Sequence, residues 1–243
     1  MNQPSSKTMV IILAAGKGTR MNSNIPKVLH KINNKSMLDI VINTSKKITP
    51  EKIVIVVGYK KEQIIHSITD SNIVFVNQNK QLGTGHAIKQ CIDEINDFNG
   101  NVLVLSGDVP LIKHETLSNL ISFHQNKNAK ATLISTSIEN PEGYGRILKN
   151  NLGQLKSIVE HKDASKKERE IDEINSGIYI FESKTLCDNI KLIKNDNAQN
   201  EYYLPDIFNF IDVKNKYIYK INNHVEIAGV NTIQQLTDIE KVF

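Results

Sequence analysis

The chain has 243 residues, 40% hydrophobic and 23% charged, with 30 lysines and arginines against 26 acids and a formal net charge of +4. This balance excludes disordered, collagen-like and proline-rich classes, and a chain of this length buries enough core to need no disulfide or metal staple. The positive surplus is too small to imply nucleic acid by itself and suits a protein that collects phosphorylated small molecules.

Residues 1–8 read as a frayed polar start. Residues 9–15 (MVIILAA) form a continuous apolar run, the mark of a strand buried on both faces. The run is too short to span a bilayer and lacks the flanks of a signal peptide. No other run reaches the ~18 apolar residues of a membrane helix. A cytoplasmic protein with no membrane partner is expected. A polar, Gly-rich loop then leads to Pro26. Helical spacing of apolar residues predicts a helix over 36–48. A second buried strand is expected at 52–58, a short helix at 60–68 and a third strand at 72–76. A helix opens at 83 and runs to 95, and a fourth strand covers 101–108. Alternating strands and helices predict an α/β fold with a mainly parallel sheet.

The second half is less regular. Helices are expected at 113–127, 202–211 and 232–243, and strands at 129–138, 144–148, 153–161, 173–183 and 216–221. The short charged runs at 45–47 and 166–169 read as solvated faces. Cys91 and Cys187 lie far apart, with no CxxC and no nearby His at ligand spacing. They read as two small buried hydrophobes in a reducing compartment, neither a zinc site nor a disulfide. No linker interrupts the chain, and no repeat appears, the hexapeptide repeat of a β-helix included. One domain over 9–243 is expected, with a Rossmann-like half at 9–112 and a mixed-sheet half at 113–243.

Topology makes a functional statement. Right-handed crossovers from the first predicted strand to the second and third build the sheet in one direction, and the fourth adds beside the first. The resulting order, 3-2-1-4, has a switch point between strands one and four, where ligands sit at the carboxyl ends. Residues 14–20 and 106–108 occupy those ends, so two distant segments should face one ligand.

The first of these segments is Leu13-Ala14-Ala15-Gly16-Lys17-Gly18-Thr19-Arg20-Met21, followed by Pro26-Lys27. Small residues let the backbone approach a ligand and turn its N–H groups toward anions. Lys17, Arg20 and Lys27 add three cations, a density suited to a triphosphate. A dinucleotide fingerprint fails because Met21 stands where a small residue is needed, and a P-loop fails because Met21-Asn22-Ser23 replaces Gly-Lys-Ser/Thr. The second segment is Ser106-Gly107-Asp108-Val109-Pro110. A carboxylate just past a buried strand is well placed for Mg²⁺, which takes one or two carboxylates with phosphate oxygens and waters. A third segment, Gln78 with Gln81-Leu82-Gly83-Thr84-Gly85-His86, could read a base edge, since an amide offers both donor and acceptor. His86 at the helix start reads as structural.

Together, in this order, these segments resemble the sugar-1-phosphate nucleotidylyltransferases. The match is closest to the pyrophosphorylase domain of the bacterial bifunctional N-acetylglucosamine-1-phosphate uridylyltransferase/glucosamine-1-phosphate acetyltransferases. The family pattern L-A-A-G-x-G-T-R-M with P-K-V appears at 13–21 and 26–28, Q-x-x-Q-L-G-T-G-H-A at 78–87 and G-D-V-P-L at 107–111. Gly-Tyr-Gly-Arg-Ile at 143–147, Ile-Val-Glu-His-Lys-Asp-Ala at 158–164, Glu-Ile-Asn-Ser-Gly-Ile-Tyr at 173–179, Asn-Glu-Tyr-Tyr-Leu at 200–204 and Gly-Val-Asn at 229–231 extend the similarity.

The resemblance implies a Rossmann-like (GT-A-like) three-layer sandwich with a mixed, mainly parallel sheet. It implies a Mg²⁺-dependent enzyme that joins UTP and N-acetylglucosamine 1-phosphate, with no nucleic-acid partner; the sequence leaves the oligomeric state open. Leu13, Ala14, Ala15 and Gly16 would line the uridine and phosphate side, with Gln78, Gly83 and Thr84 on the uracil. Arg20 and Lys27 would act on the triphosphate, and Asp108 and Asn231 would hold Mg²⁺. Gly145, Glu160 and Asn175 would contact the sugar. Ser106, next to Gly107, stands where members often carry Tyr, so it bears on sugar preference. The bifunctional proteins continue into a β-helix acetyltransferase domain, so no acetyl-CoA activity is expected from these residues. Cytidylyltransferases with Pro-Lys-Gln, guanylyltransferases with Leu-Ala-Gly-Gly, nicotinamide dehydrogenases and non-catalytic nucleotide-sugar modules fit the sequence less well.

Overall fold

The computed structural model describes residues 7–241 and 243. In chain order the strands are β1 (Thr8–Leu13), β2 (Lys31–Ile32), β3 (Lys35–Ser36), β4 (Lys52–Val57), β5 (Ile73–Asn77), β6 (Asn101–Ser106), β7 (Ala131–Ser137), β8 (Arg146–Lys149), β9 (Leu155–Val159), β10 (Glu173–Glu182) and β11 (Lys216–Lys220). The α-helices are α1 (Met37–Lys47), α2 (Lys61–Ser67), α3 (Thr84–Lys89), α4 (Ile92–Asn96), α5 (His114–Asn126), α6 (Lys166–Arg169), α7 (Ser183–Asn189) and α8 (Ile233–Glu240).

The main sheet runs in the order β11-β7-β10-β6-β1-β4-β5, with the β8–β9 hairpin attached to β10. Strands β6, β1, β4 and β5 pair in parallel, which is the 3-2-1-4 order expected from the sequence. Strand β10 runs antiparallel to both β6 and β7, so the sheet is mixed. Alternate side chains of a strand face opposite sides. Here both sides are apolar. Met9, Ile11, Val54, Val56, Val102 and Val104 enter one core, covered by α3, α7 and the 3₁₀ segment Leu204–Phe210. Val10, Ile12, Ile53, Ile55, Leu103 and Leu105 enter the other, covered by α1, α2 and α5. The result is a three-layer sandwich. Both cores draw residues from either side of position 112.

Local chemistry explains the helix limits. Ser36 caps α1 by accepting from the Asp39 amide, and Lys46 and Lys47 lie in its last turn, where cations complement the helix dipole. Thr232 and Gln235 form a reciprocal capping box on α8.

Four expectations are corrected. Thr8 belongs to β1 and only residues 1–6 of the expected polar start lie outside the described residues. The helix expected over 83–95 is broken at Gln90 and Cys91 into α3 and α4. The segment at 202–211 folds as a 3₁₀ helix, with Pro205 in its first turn. Ser45, read as solvated, is buried and donates to the Val41 carbonyl, on the inner face of α1. Cys91 and Cys187 are buried and unpaired, as expected. Among the described residues no helix is long and apolar enough to cross a membrane.

Candidate active site

The carboxyl ends of β1, β4 and β6 meet at one edge of the sheet, and backbone hydrogen bonds hold their loops together. The Gly107 amide donates to Leu13 O at 2.9 Å, tying the loop after β6 to that after β1. The Ala14 amide donates to Val56 O at 2.9 Å and the Tyr59 amide to Ala15 O at 3.1 Å, tying the β1 loop to β4. Over this edge opens a cavity of about 780 Å³. Leu13, Ala14, Ala15, Gly16, Lys27, Gln78, Gly83, Thr84, Ser106 and Asp108 all line it, so ten of the residues expected from the sequence share one chamber.

At one end of the chamber four side chains converge from three segments. Gly18 adopts a left-handed conformation (φ +60°), and a Cβ there would lie 2.6 Å from Lys27 Cβ. The bare glycine therefore lets the loop close on the lysine stem. Lys27 heads the 3₁₀ turn Lys27–Leu29, and its ammonium makes an ion pair with Asp108 Oδ2 and donates to Asn231 Oδ1 at 3.1 Å. Arg20 Nη2 donates to the same Asn231 oxygen at 2.9 Å.

Two further bonds present Asn231 to Asp108. The Val230 amide donates to Asp108 O at 2.9 Å, and the Asn231 amide donates to Gln235 Oε1 at 2.7 Å. The capping box of α8 thus fixes the backbone that carries Asn231.

The Asp108 carboxylate and the Asn231 amide oxygen are both hard oxygen donors, and they point at one cation. Among the described residues no group of three or more His, Cys, Asp or Glu could hold a metal by itself. Such a pair suits Mg²⁺, which completes its shell with phosphate oxygens and water, better than a metal that needs an all-protein cage. The residues fit the ion.

At the other end of the chamber, Gln78 is buried beneath the loop that opens α3. Its Nε2 donates to Gly83 O at 3.1 Å and meets His86 Nδ1 at 3.0 Å. Burial, then the charge of Lys89, lower the His86 pKa, so the ring is neutral and Nδ1 accepts. Both amide hydrogens of Gln78 are used, which leaves its carbonyl oxygen for a donor in the chamber. His86 thus meets the Gln78 amide. Gly83 has φ +101°, and a Cβ there would lie 2.6 Å from Tyr202 O. Thr84 Oγ1 accepts from the Leu204 amide at 3.0 Å, and the Gly85 amide donates to Tyr202 O at 2.7 Å. The 82–85 loop is therefore clamped by the 202–204 segment.

Gly145, Glu160 and Asn175 form a second group beside the chamber. The Asn175 amide donates to Gly145 O at 2.9 Å, and a Cβ on Gly145 would lie 3.1 Å from Glu160 Oε1. Asn175 begins a register shift in β10, and Nδ2 donates to Tyr179 Oη at 2.7 Å. A bulge of this kind re-aims side chains beside active sites. Burial first, then the charges of Asp206, Asp163 and Glu201, push the Glu160 carboxyl up to about 7. Asp206 is itself raised to about 6 by burial and then by Asp163. Glu201 lines the chamber and joins it to this group.

Asp206, Glu201 and the clamp formed by Tyr202 and Leu204 were not assigned from the sequence as site residues. Their signal was an acid after proline in an otherwise apolar run, Tyr-Tyr-Leu-Pro-Asp-Ile-Phe.

A nucleotidyl transferase family model matches residues 9–226, nearly the whole of this architecture. The chain belongs to the nucleotidyl transferase family. It is 45% identical over 240 residues to the bifunctional protein GlmU of Alkaliphilus oremlandii, covering 97% of this chain and 52% of that protein. It is 43% identical over 233 residues to the bifunctional protein GlmU of Staphylococcus carnosus, covering 95% of this chain and 51% of that protein. The chain thus spans about half the length of these relatives.

Among solved structures, a UDP-glucose pyrophosphorylase complexed with UDP-glucose superposes with a TM-score of 0.78 at 18% identity, covering 97% of this chain and 98% of that one. A Bacillus anthracis protein described as a glucose-1-phosphate thymidylyltransferase gives a TM-score of 0.75 at 20% identity, covering 97% and 94%. At such identities these two establish the shared nucleotidyl transferase fold.

Proposed function

We propose that this chain is an N-acetylglucosamine-1-phosphate uridylyltransferase, which makes UDP-N-acetylglucosamine and pyrophosphate from UTP and the sugar 1-phosphate. The convergence of Arg20, Lys27, Asp108 and Asn231 at one end of a chamber of about 780 Å³ carries the reading. The similarity to GlmU supports the choice of nucleotide and sugar.

In this reading residues 9–112 form the nucleotide-binding half and 113–243 the sugar-binding half. The base lies against Gln78, Gly83 and Thr84, and an N–H of uracil donates to the Gln78 carbonyl oxygen. Leu13, Ala14, Ala15 and Gly16 line the ribose and phosphates. Gly145, Glu160 and Asn175 hold the sugar, and Ser106 and Gly107 lie between the two substrates. Glu160, its carboxyl pushed up to about 7, donates to a sugar oxygen in its protonated form and then adds no charge that would repel the phosphate. Two unpaired cysteines are in keeping with a cytoplasmic setting.

The chemistry is one in-line displacement. A phosphate oxygen of the sugar 1-phosphate forms a bond to the α-phosphorus of UTP, the bond to the β-phosphate bridging oxygen breaks, and pyrophosphate leaves with that electron pair. The nucleophile is already anionic, so no protein base is needed. Arg20 and Lys27 neutralise the charge that gathers on the departing pyrophosphate. Asp108 and Asn231 would hold Mg²⁺, which when bound supplies further charge neutralisation at phosphate oxygens.

The test is pyrophosphate release from UTP, Mg²⁺ and a panel of sugar 1-phosphates. The reading expects turnover with N-acetylglucosamine 1-phosphate and a loss of about 10²–10³-fold in Asp108→Ala that leaves the protein folded. No release with any sugar in the panel, or a near-normal rate in the variant, would overturn it.

A further inference from the structure

Lys27 has a place in this structure that catalysis does not explain. Its ammonium sits on Asp108 Oδ2 and 3.1 Å from Asn231 Oδ1, two of the oxygens assigned to the metal. Arg20 Nη2 takes the same Asn231 oxygen at 2.9 Å. One carboxylate oxygen of Asp108 and the amide oxygen of Asn231 are therefore engaged by side-chain cations. The ion pair is well shielded, with the two side chains only 15% and 18% exposed. Shielding strengthens the attraction.

We propose that Lys27 is the resident cation of the metal position, so that a divalent ion gains Asp108 and Asn231 only when a triphosphate draws Lys27 away. The inference rests on the assignment of Asp108 and Asn231 made above. A triphosphate beside Gly16, Lys17 and Gly18 offers Lys27 and Arg20 new anionic partners within the same chamber. As they turn to it, the carboxylate and the amide oxygen are released. Two positive charges cannot hold one carboxylate oxygen without repulsion, so a bare ion competes with the lysine, whereas an ion that arrives with the nucleotide does not. By linkage, the nucleotide then raises metal affinity and the metal raises nucleotide affinity by the same factor. The exchange keeps Asp108 paired in every state, which avoids an uncompensated, half-buried carboxylate.

The experiment is a titration of the nucleotide-free full chain with Mn²⁺, following free ion by electron paramagnetic resonance. Lys27→Met should bind Mn²⁺ at least ~10-fold more tightly than the unaltered protein, the scale set by losing one charge-assisted partner. Lys27→Arg, which keeps the cation, should stay weak. Adding Asp108→Asn to Lys27→Met should abolish the gain. If unpaired Asp108 destabilises Lys27→Met, Mn²⁺ should raise its melting temperature more than that of the unaltered protein. Equal Mn²⁺ affinity in the two proteins, no binding by either, or a gain that survives Asp108→Asn would overturn the proposal. The titration uses neither UTP nor sugar phosphate. A different substrate pair would therefore leave its result standing, and its failure would leave pyrophosphate release untouched.

Discussion

Gly18→Ala perturbs the loop at a position where both dihedral and packing demand a bare Cα. Gly18 has φ 60° and ψ 41°, and an added methyl would come 2.6 Å from Lys27 Cβ and 3.3 Å from Lys27 Cγ. The left-handed conformation alone costs about 1–2 kcal/mol for an L-residue. In a domain of this size, that lowers the melting temperature by about 2–8 °C. The clash falls on the root of the lysine side chain and not on its flexible tip, so the whole side chain must move. A displacement near 1 Å at a positioning group can cost about 10²-fold in rate. Gly18→Ala should therefore lose about 10–100-fold in kcat for pyrophosphate release. Gly16→Ala is the matched control, because a Cβ there meets nothing within 4 Å. It should keep its melting temperature and raise the KM for UTP through its place in the chamber wall. Wild-type kcat in Gly18→Ala, with or without a drop in stability, would refute the claim that this loop delivers Lys27.

Glu160→Gln should alter the dependence of stability on pH. A carboxyl raised to about 7 in the folded protein, against about 4.3 unfolded, binds its proton more tightly when folded. Its stabilising contribution is full below about pH 4.3 and is lost as pH rises through 7. Glu160→Gln should match the unaltered protein at low pH and exceed it increasingly toward pH 8, by up to about 3 kcal/mol in chemical denaturation. A constant difference across that range would contradict the burial of this carboxyl. His86→Phe removes the acceptor that orients the Gln78 amide, so the preference for UTP over CTP should fall about tenfold in kcat/KM. An unchanged preference would show that Gly83 O alone fixes Gln78.

The parallel strands were legible because their chemistry is simple. Met9–Ile12, Ile53–Val56 and Val102–Leu105 are apolar at successive positions, as strands buried on both faces must be. The order around β1 followed from crossover handedness, and it brought residues 14–20 and 106–108 to one place. Several features escaped for definite reasons. The apolar pattern runs unbroken through 83–95, yet the chain kinks at Cys91, whose φ of −91° and ψ of 8° end one helix and start the next. Helix α7 carries only Leu186, Cys187 and Ser183 to the core, too few for a periodic signal. The β2–β3 hairpin turns at Asn33 and Asn34, both at positive φ, a signal present in the paired asparagines and not read. In the site, Arg20 and Asn231 are 211 residues apart. No spacing rule joins them, and Asn231 entered the expected site through the resemblance alone. Asp206 was missed because its effect is exerted through Glu160 and shows only once the two face each other.

The fold solves an alignment problem with two cross-ties. Under the proposed function, an in-line displacement fails unless the sugar phosphate and the α-phosphorus hold one axis, and the two substrates would be bound by different stretches of chain. At the base end, the Tyr202 amide donates to Leu82 O at 2.8 Å and the Leu204 amide to Thr84 Oγ1 at 3.0 Å, which locks the base loop to the segment that carries Glu201 and Asp206. At the phosphate end, the Val230 amide on Asp108 O locks the loop after β6 to the loop before α8. Each tie joins a segment before position 112 to one after it. Under the proposed function, Lys27 and Arg20 stand at this second tie, bonded to Asp108 and Asn231, where the charge of the departing pyrophosphate would gather.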